Sequence, residues 1–522
     1  MKNYRNILLI LILAGVFTSN TGCKKLLNVD PITAMSANNF WKTKEDVERF
    51  TTGAYLLLRN YTAMDGHTLL AIGDYRCTPW TLTSTNNSNN YVNFFHANNM
   101  NALINSSLSW SGTYGNFSQA SDHFGFENMS DWAFLFRVVA SANTIIANID
   151  NKEIADISPQ ERKQYKAEAI FLRAITYFFM VRHWGDLPYQ TDVNDITGKE
   201  RISQITIFKN CISDLNSVLE DLPWTYADPS KRGPRAMKGG ALVLMMEMNM
   251  WMACFDEPNE NGYYQEVVNL SNRLTGEGAA YYELLPLDNT KEIFKGSSRE
   301  SLFEIGQDAN FDEKFGNFAT IANLTLRTPY KPAVTNSTLY YNLFYLHQLY
   351  DDENNGPTDK RIDNWFERAY MYDNTGNFVF LKFQNLYGSD NPNDNKIIFR
   401  YADVWLLRAE ALEKLGDYAA ALQAVNVIRE RAGATLYAGG QNLTNLGANM
   451  SLEDAIWWER ERELMGENSL YYDLVRTKKI FSSKYTPYTM DYEDFINGAW
   501  TYPIRSNVLS SNPNTKPNPY WL

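Results

Sequence analysis

Apolar residues recur at helical spacing over much of this chain, most regularly across 397–433. There Val404, Leu407, Ala411 and Leu415 fall three or four residues apart, on one helix face. After a break at Gly416-Asp417, Tyr418, Ala421, Val425 and Ile428 repeat the pattern. Asp417 stands where a helix needs its N-cap, and Gly433 where it needs its C-cap. Ala409, Gly416, Ala421 and Val425 sit at the relative spacings of a tetratricopeptide helix pair, and small Ala409 and Ala421 let the two helices approach closely. Such a pair cannot bury its apolar face alone, so stacked neighbours are expected.

Those neighbours are legible on the N-terminal side. Val47, Phe50, Ala54 and Leu57 line one face of a helix predicted over 44–58, and Trp132, Phe136, Val139, Asn143 and Ile146 do so over 131–149. Ser158-Pro159-Gln160-Glu161 is a capping box with proline in the first turn. The helix it opens is expected to run to Trp184 and stop at Gly185. Apolar residues cover most of its circumference, which predicts burial on several sides. Further helices are predicted over 203–222, 234–255 and 263–275. A charged one over 452–465 carries Glu459, Arg460, Glu461, Arg462 and Glu463. The predicted fold class is mainly α: tetratricopeptide-like helix pairs, with long irregular loop segments and a few short strands on one side.

Two stretches break the period. Region 73–125 holds Arg76, Trp80, Tyr91, Phe94, Phe95 and Trp110 among many asparagines, including Asn90. In region 283–396, the runs 302–305 and 378–383 read as strands, and Tyr330, Tyr340, Tyr341, Trp365 and Tyr370 lie between them. Loops this long inside a compact chain are functional or disordered. Dense aromatics argue against disorder. An ordered, aromatic-bearing surface is expected.

Composition adds two constraints. Lys and Arg total 48 against 60 Asp and Glu, a net charge of −12, which argues against non-specific nucleic-acid binding. Tyr (32) and Trp (13) are abundant; they pair a large apolar face with a polar edge, which suits recognition surfaces and ordinary packing alike.

The N-terminus carries its own signal. Lys2 and Arg5 precede an apolar run over 7–17, too short to span a bilayer as a folded helix of roughly 20 residues. It reads as a signal-peptide core. Small residues then lead to Cys23, in a pattern that resembles a bacterial lipoprotein processing site, except that Asn20 stands where leucine is usual. Residues 1–22 are therefore expected to be a signal peptide, 23–45 a lipidated N-terminus and tether, and 46–522 the folded part. With Cys23 lipidated, Cys77, Cys211 and Cys254 allow at most one disulfide.

The carboxylates at 459–467 lie three or four residues apart with arginines between them, a spacing that favours ion pairs within the helix over a glycosidase acid pair. Asp351, Glu353, Asn355 and Gly356 open like a calcium loop, but its twelfth position is Ile362 where a bidentate Glu is needed. The five histidines have no metal-binding spacing. No cofactor and no metal are expected.

Several segments together resemble the SusD/RagB-like outer-membrane lipoproteins. They are 167–174 with His183-Trp184-Gly185-Asp186-Leu187-Pro188-Tyr189, then Asp359-Lys360-Arg361, then Arg400-Tyr401-Ala402-Asp403-Val404 through Ala409-Glu410-Ala411. Arg462-Glu463-Leu464 with Glu467, Tyr472-Asp473-Leu474-Val475-Arg476, and the tail from Tyr502-Pro503 to Asn518-Pro519-Tyr520 complete the set. Trp184 replaces the usual tyrosine before Gly-Asp, and Ser469-Leu470-Tyr471 departs from the usual Gly-x-Arg. The resemblance implies four tetratricopeptide-like helix pairs and a non-catalytic cell-surface lipoprotein that binds an oligo- or polysaccharide. It also implies a partner, a SusC-like TonB-dependent transporter. Arg400, Asp403, Arg408 and Glu410 then read as struts in the frame.

Sugar rings present apolar C–H faces and equatorial hydroxyls, so a glycan site wants flat aromatics with amide, carboxylate or guanidinium edges. The candidate ligand residues are Trp80, Tyr91, Trp110, Tyr330 and Trp365 as ring platforms, with Arg76 and Asn90 for hydroxyls. Two alternatives stand beside this reading: a secreted glycoside hydrolase, and a binder of peptide or another non-glycan nutrient.

Overall fold

The computed structural model describes residues 40–64, 67–83, 94–100, 129–195, 197–308, 313–316, 319–350, 359–387, 394–440 and 450–522. Helices dominate. In chain order the longer ones are α1 (Lys44–Ala63), α2 (Ala133–Asn151), α3 (Pro159–Trp184), α4 (Gln204–Val218) and α5 (Lys238–Phe255). Then follow α6 (Glu260–Thr275), α7 (Tyr401–Lys414), α8 (Tyr418–Ala432), α9 (Leu452–Leu464) and α10 (Leu470–Arg476). They stack as pairs: α2 with α3, α5 with α6, and α7 with α8, while α1 lies on α2, α4 on α3, and α9 on α7 and α8.

Local signals set the ends. Ser158 and Glu161 form the reciprocal capping box that starts α3, and Gly185 ends it at φ 76°. The turn between α7 and α8 runs through Gly416 at φ 82°. Asp417 caps α8 by accepting from the Ala420 amide, and Gly433 closes it in the left-handed region at φ 66°. The buried face of α1 is Val47, Thr51, Ala54 and Leu58. Helix α3 is buried almost all round from Ala167 to Trp184.

Two small antiparallel sheets join distant segments. Strands β1 (Trp80–Leu82) and β3 (Leu339–Tyr341) pair, and β2 (Ser301–Ile305) pairs with β4 (Lys396–Arg400). Strand β2 was predicted. Strand β4 was not, because Ile397, Ile398 and Phe399 read as the approach to α7. The predicted strand over 378–383 is absent: Phe380 makes one isolated bridge to Phe366, and the chain turns at 382–386 with no neighbouring strand to extend the ladder.

The charged helix α9 departs most from its sequence reading. Glu459, Arg460, Glu461, Arg462 and Glu463 are all buried, at most 3% exposed. Only Arg462–Glu459 is a pair within the helix. The other partners come from elsewhere: Arg361 reaches Glu459 at 2.7 Å, Arg400 reaches Glu463 at 2.7 Å, and Arg429 and Arg431 close on Glu459 and Glu463. Arg460 joins Asp473 of α10 at 2.7 Å and also meets Asp403 of α7. The four expected struts behave as such, for Arg408 bonds Ser271 and Asn272 of α6 and Glu410 pairs with Arg476. Charges carried on one helix thus tie together α7, α8, α10 and the short helix Lys360–Trp365 that Asp359 caps.

The first loop region is tied to this frame at Gly73. Its amide donates to the Asn468 side chain at 2.6 Å, and a Cβ there would lie 2.3 Å from the Asn468 carbonyl oxygen, so no other residue fits. Cys77, Cys211 and Cys254 are buried and unbridged.

Candidate functional site

The β1–β3 pair brings the two aperiodic regions together. Trp80 lies opposite Tyr341, Thr81 opposite Tyr340, and Leu82 opposite Leu339. The Thr83 amide and hydroxyl both donate to Thr338, at 2.9 and 3.0 Å, and the Asn342 amide donates to Pro79 at 2.7 Å.

Several candidate residues turn out to build this junction. Trp80 is 1% exposed; its indole N–H donates to the Asp74 carbonyl at 3.0 Å, and its ring stacks on His96 at 4.4 Å. Arg76 is as deeply buried. It donates to Asn98 and to the carbonyls of Ala499, Trp500 and Thr501, and lies over the rings of Tyr471 and Tyr502. It is a strut between the first loop region and the C-terminal segment. Trp365 is fully buried, with the Lys382 ammonium 4.1 Å from its ring. Burial pushes Lys382 down to about 8, against the pull of Glu467. The expectations of Trp80 and Trp365 as ring platforms and of Arg76 as a hydroxyl-binding group are corrected, because burial takes all three side chains out of a ligand's reach. Asn90, Tyr91 and Trp110 lie outside the described residues, as do Cys23 and the 351–358 part of the calcium-like loop.

Tyr330 is half-buried at the surface of the second region. Burial raises its phenol, with Glu367 adding to the rise and Arg327 opposing it. The second region also holds groups that the spacing and composition did not single out. Arg327 lies over the Tyr370 ring at 4.9 Å, donates to the Asn377 and Thr328 carbonyls, and stands 3.6 Å from Glu367. His347 and Tyr372 stack face to face at 4.2 Å and 4°. Phe344, one turn before His347 on the helix Leu343–Leu349, is 65% exposed. The i, i+3 spacing of Phe344 and His347 is the sequence signal that could have found them. Asn374, Thr375 and Asn377 are exposed on the stretch that follows Tyr372 in the chain. Flat apolar faces edged by amides and hydroxyls suit a ligand with C–H faces and hydroxyl edges.

The carboxylates of α9 offer no comparable chemistry. Burial pushes Glu459 up, but Arg361, Arg429 and Arg462 outweigh it and hold the carboxyl down at about 2. Glu463 is held low in the same way by Arg431, Arg400 and Arg361. Each is spent on guanidinium partners in the interior. Among the described residues no three His, Cys, Asp or Glu side chains come together as a metal site.

Comparison with known proteins matches both halves. The model of the SusD family covers residues 308–521, and one described as starch-binding, associating with outer membrane, covers 75–245. A SusD homologue of known structure from Bacteroides thetaiotaomicron superposes with a TM-score of 0.79 at 31% identity, over 93% of this chain and 100% of that one. SusD-like protein P25 of Formosa agariphila is 27% identical over 506 residues, 90% of this chain and 89% of its own. Surface glycan-binding protein A from Bacteroides uniformis shares the fold, with a TM-score of 0.65 at 19% identity over 92% of this chain and 100% of that one. Ion-paired helix pairs, a loop-built face and these matches along the chain give one conclusion: it belongs to the SusD family.

Proposed function

We propose that this chain is a non-catalytic lipoprotein on the outer surface of the outer membrane, which binds a glycan and delivers it to a SusC-like TonB-dependent transporter. The observation that carries the reading is the β1–β3 pair, which sets the two aromatic-rich loop regions side by side on the helical frame. Tyr330, Tyr370, Phe344 and the His347–Tyr372 stack supply ring faces, and Asn90, Tyr91 and Trp110 remain the candidates of the first region. Surface glycan-binding protein A, which has the same fold, supports the ligand class.

The anchor follows from the processing pattern: residues 1–22 are removed, Cys23 is acylated, and the residues after it tether the folded part, which begins ahead of the expected 46, with Trp41 buried and Thr43 capping α1. A hydrolase reading loses its most visible carboxylates, since Glu459 and Glu463 are locked in ion pairs in the interior. Affinity electrophoresis in gels cast with individual polysaccharides tests the binding, and reducing-sugar release by the pure protein tests the absence of catalysis. Co-purification with an outer-membrane barrel tests the partner.

A further inference from the structure

A second concavity lies away from the loop face, where the C-terminal ends of α3 and α5 meet the start of α4 and the C-terminal segment. Its volume is about 540 Å³, within the ~300–1,000 Å³ usual for small-ligand sites. Nothing in the proposed function uses it.

One wall is aromatic. Phe255 and Phe495 lie parallel at 5.9 Å and 5°, and Trp500 meets Phe255 at 5.1 Å. Trp500 is fixed from behind, because its carbonyl accepts from Arg76 at 3.1 Å and from Tyr471 at 2.5 Å. Tyr492 and Ile496, on the short helix Tyr492–Ile496, line the cavity yet are 64% and 62% exposed. The opposite wall is polar. Asp186 accepts the Gln204 amide through one carboxylate oxygen at 2.9 Å, which leaves the other as an acceptor. The Gln204 side-chain carbonyl accepts the Trp251 indole N–H at 2.8 Å, which leaves its NH₂ as a donor. Asn497 adds a side-chain amide.

Two features select the ligand class. First, Glu257 and Lys478 pair at the lip, so the lining holds no surplus cation for phosphate or a uronate. Second, the backbone around the cavity is spent: the amides of Asn497, Gly498, Thr501 and Tyr520 donate to Glu493, Phe495, Gly498 and Asn497. No strand edge is left for a peptide backbone to pair with. Recognition must come from side-chain amides, a carboxylate and ring faces, which is the complement of a neutral sugar.

We propose that this cavity is a second saccharide site, taking the end or a branch of a neutral glycan. The inference rests on the glycan reading of the loop face but shares no residue with it. The test uses the mature protein, calorimetry with maltotriose, laminaritriose, cellotriose and mannotriose, and trigalacturonic acid as the charged control. Exposed Tyr492 and half-buried Asn497 are changed together to alanine, with unchanged thermal unfolding as the folding check. One or more neutral trisaccharides should bind, and the double variant should weaken that binding about tenfold or more. Retardation by a polysaccharide gel should persist in the double variant and fall with Tyr330→Ala. The proposal is overturned if the double variant binds the trisaccharide within about twofold of the unmodified protein. Tighter binding of the uronate control also overturns it, as does a protein that a polysaccharide retards but that binds no neutral trisaccharide. A protein that no polysaccharide retards refutes the proposed function, and this inference with it.

Discussion

Trp80 lies directly across the β1–β3 ladder from Tyr341, and neither is more than 2% exposed. Each comes from a different aperiodic region, so the two regions are joined through their aromatic residues and not merely adjacent. These rings form the floor of the face and not its contact surface. Trp80→Ala should therefore cost ~3–5 kcal/mol of stability, as for other large-to-small core changes. Urea unfolding measures this. A Trp80→Ala protein of normal stability that has lost glycan binding would restore Trp80 as a platform.

Glu463 anchors the frame. It meets Arg361, Arg400 and Arg431 with no exposure of its own. Glu463→Gln leaves three guanidinium groups short of a partner, and removing one member of a buried pair costs ~3–5 kcal/mol. Chemical denaturation should show that loss, and a change below 1 kcal/mol would mean the cluster is hydrated or dispensable.

His183 should make stability depend on pH. It is fully buried, stacks on Tyr502 at 3.9 Å, and its Nε2 lies 2.7 Å from the Met129 carbonyl oxygen. Burial pushes its pKa from 6.5 down to about 3. Below pH 6.5 the unfolded chain takes up a proton that the folded one refuses, so stability attributable to this group falls as pH drops from 6.5 toward 3. His183→Phe removes that term. The stability gap between the two proteins should shift in the variant's favour on acidification, by up to ~1.4 kcal/mol per pH unit. A gap independent of pH would contradict a neutral His183.

The helix pair α7–α8 was legible because its information is local. Spacing, the Asp417 cap and the Gly433 stop all lie within one stretch. Gly433→Ala places a Cβ at φ 66° and should lower the melting temperature, at a cost of ~1–2 kcal/mol. An unchanged melting temperature would mean the cap relaxes without penalty.

What sequence could not disclose was tertiary. The residues of α9 have the spacing of a solvated, self-paired helix, yet their partners Arg361, Arg400 and Arg429 stand 30 to 102 positions away. Likewise Trp80 and Trp365 have the composition of a binding loop, but a tryptophan in such a loop serves the core as readily as a ligand. Burial alone tells the two apart. Tyr330 survives as a surface residue, and Arg76, read as a ligand group, proves to be the brace that holds the C-terminal segment against the loops. The strand β4 was hidden in a short apolar run that fits helix and strand equally.

Glycan capture by the loop face without catalysis is tested most directly in affinity gels cast with single polysaccharides, run beside a reducing-sugar assay. The account predicts that at least one polysaccharide retards the mature protein and releases no reducing sugar. It also predicts that changing Tyr91, Trp110 and Tyr330 together to alanine abolishes the retardation while the fold is kept. Retardation that survives this triple change, or sugar release that a single Asp or Glu substitution abolishes, would contradict it.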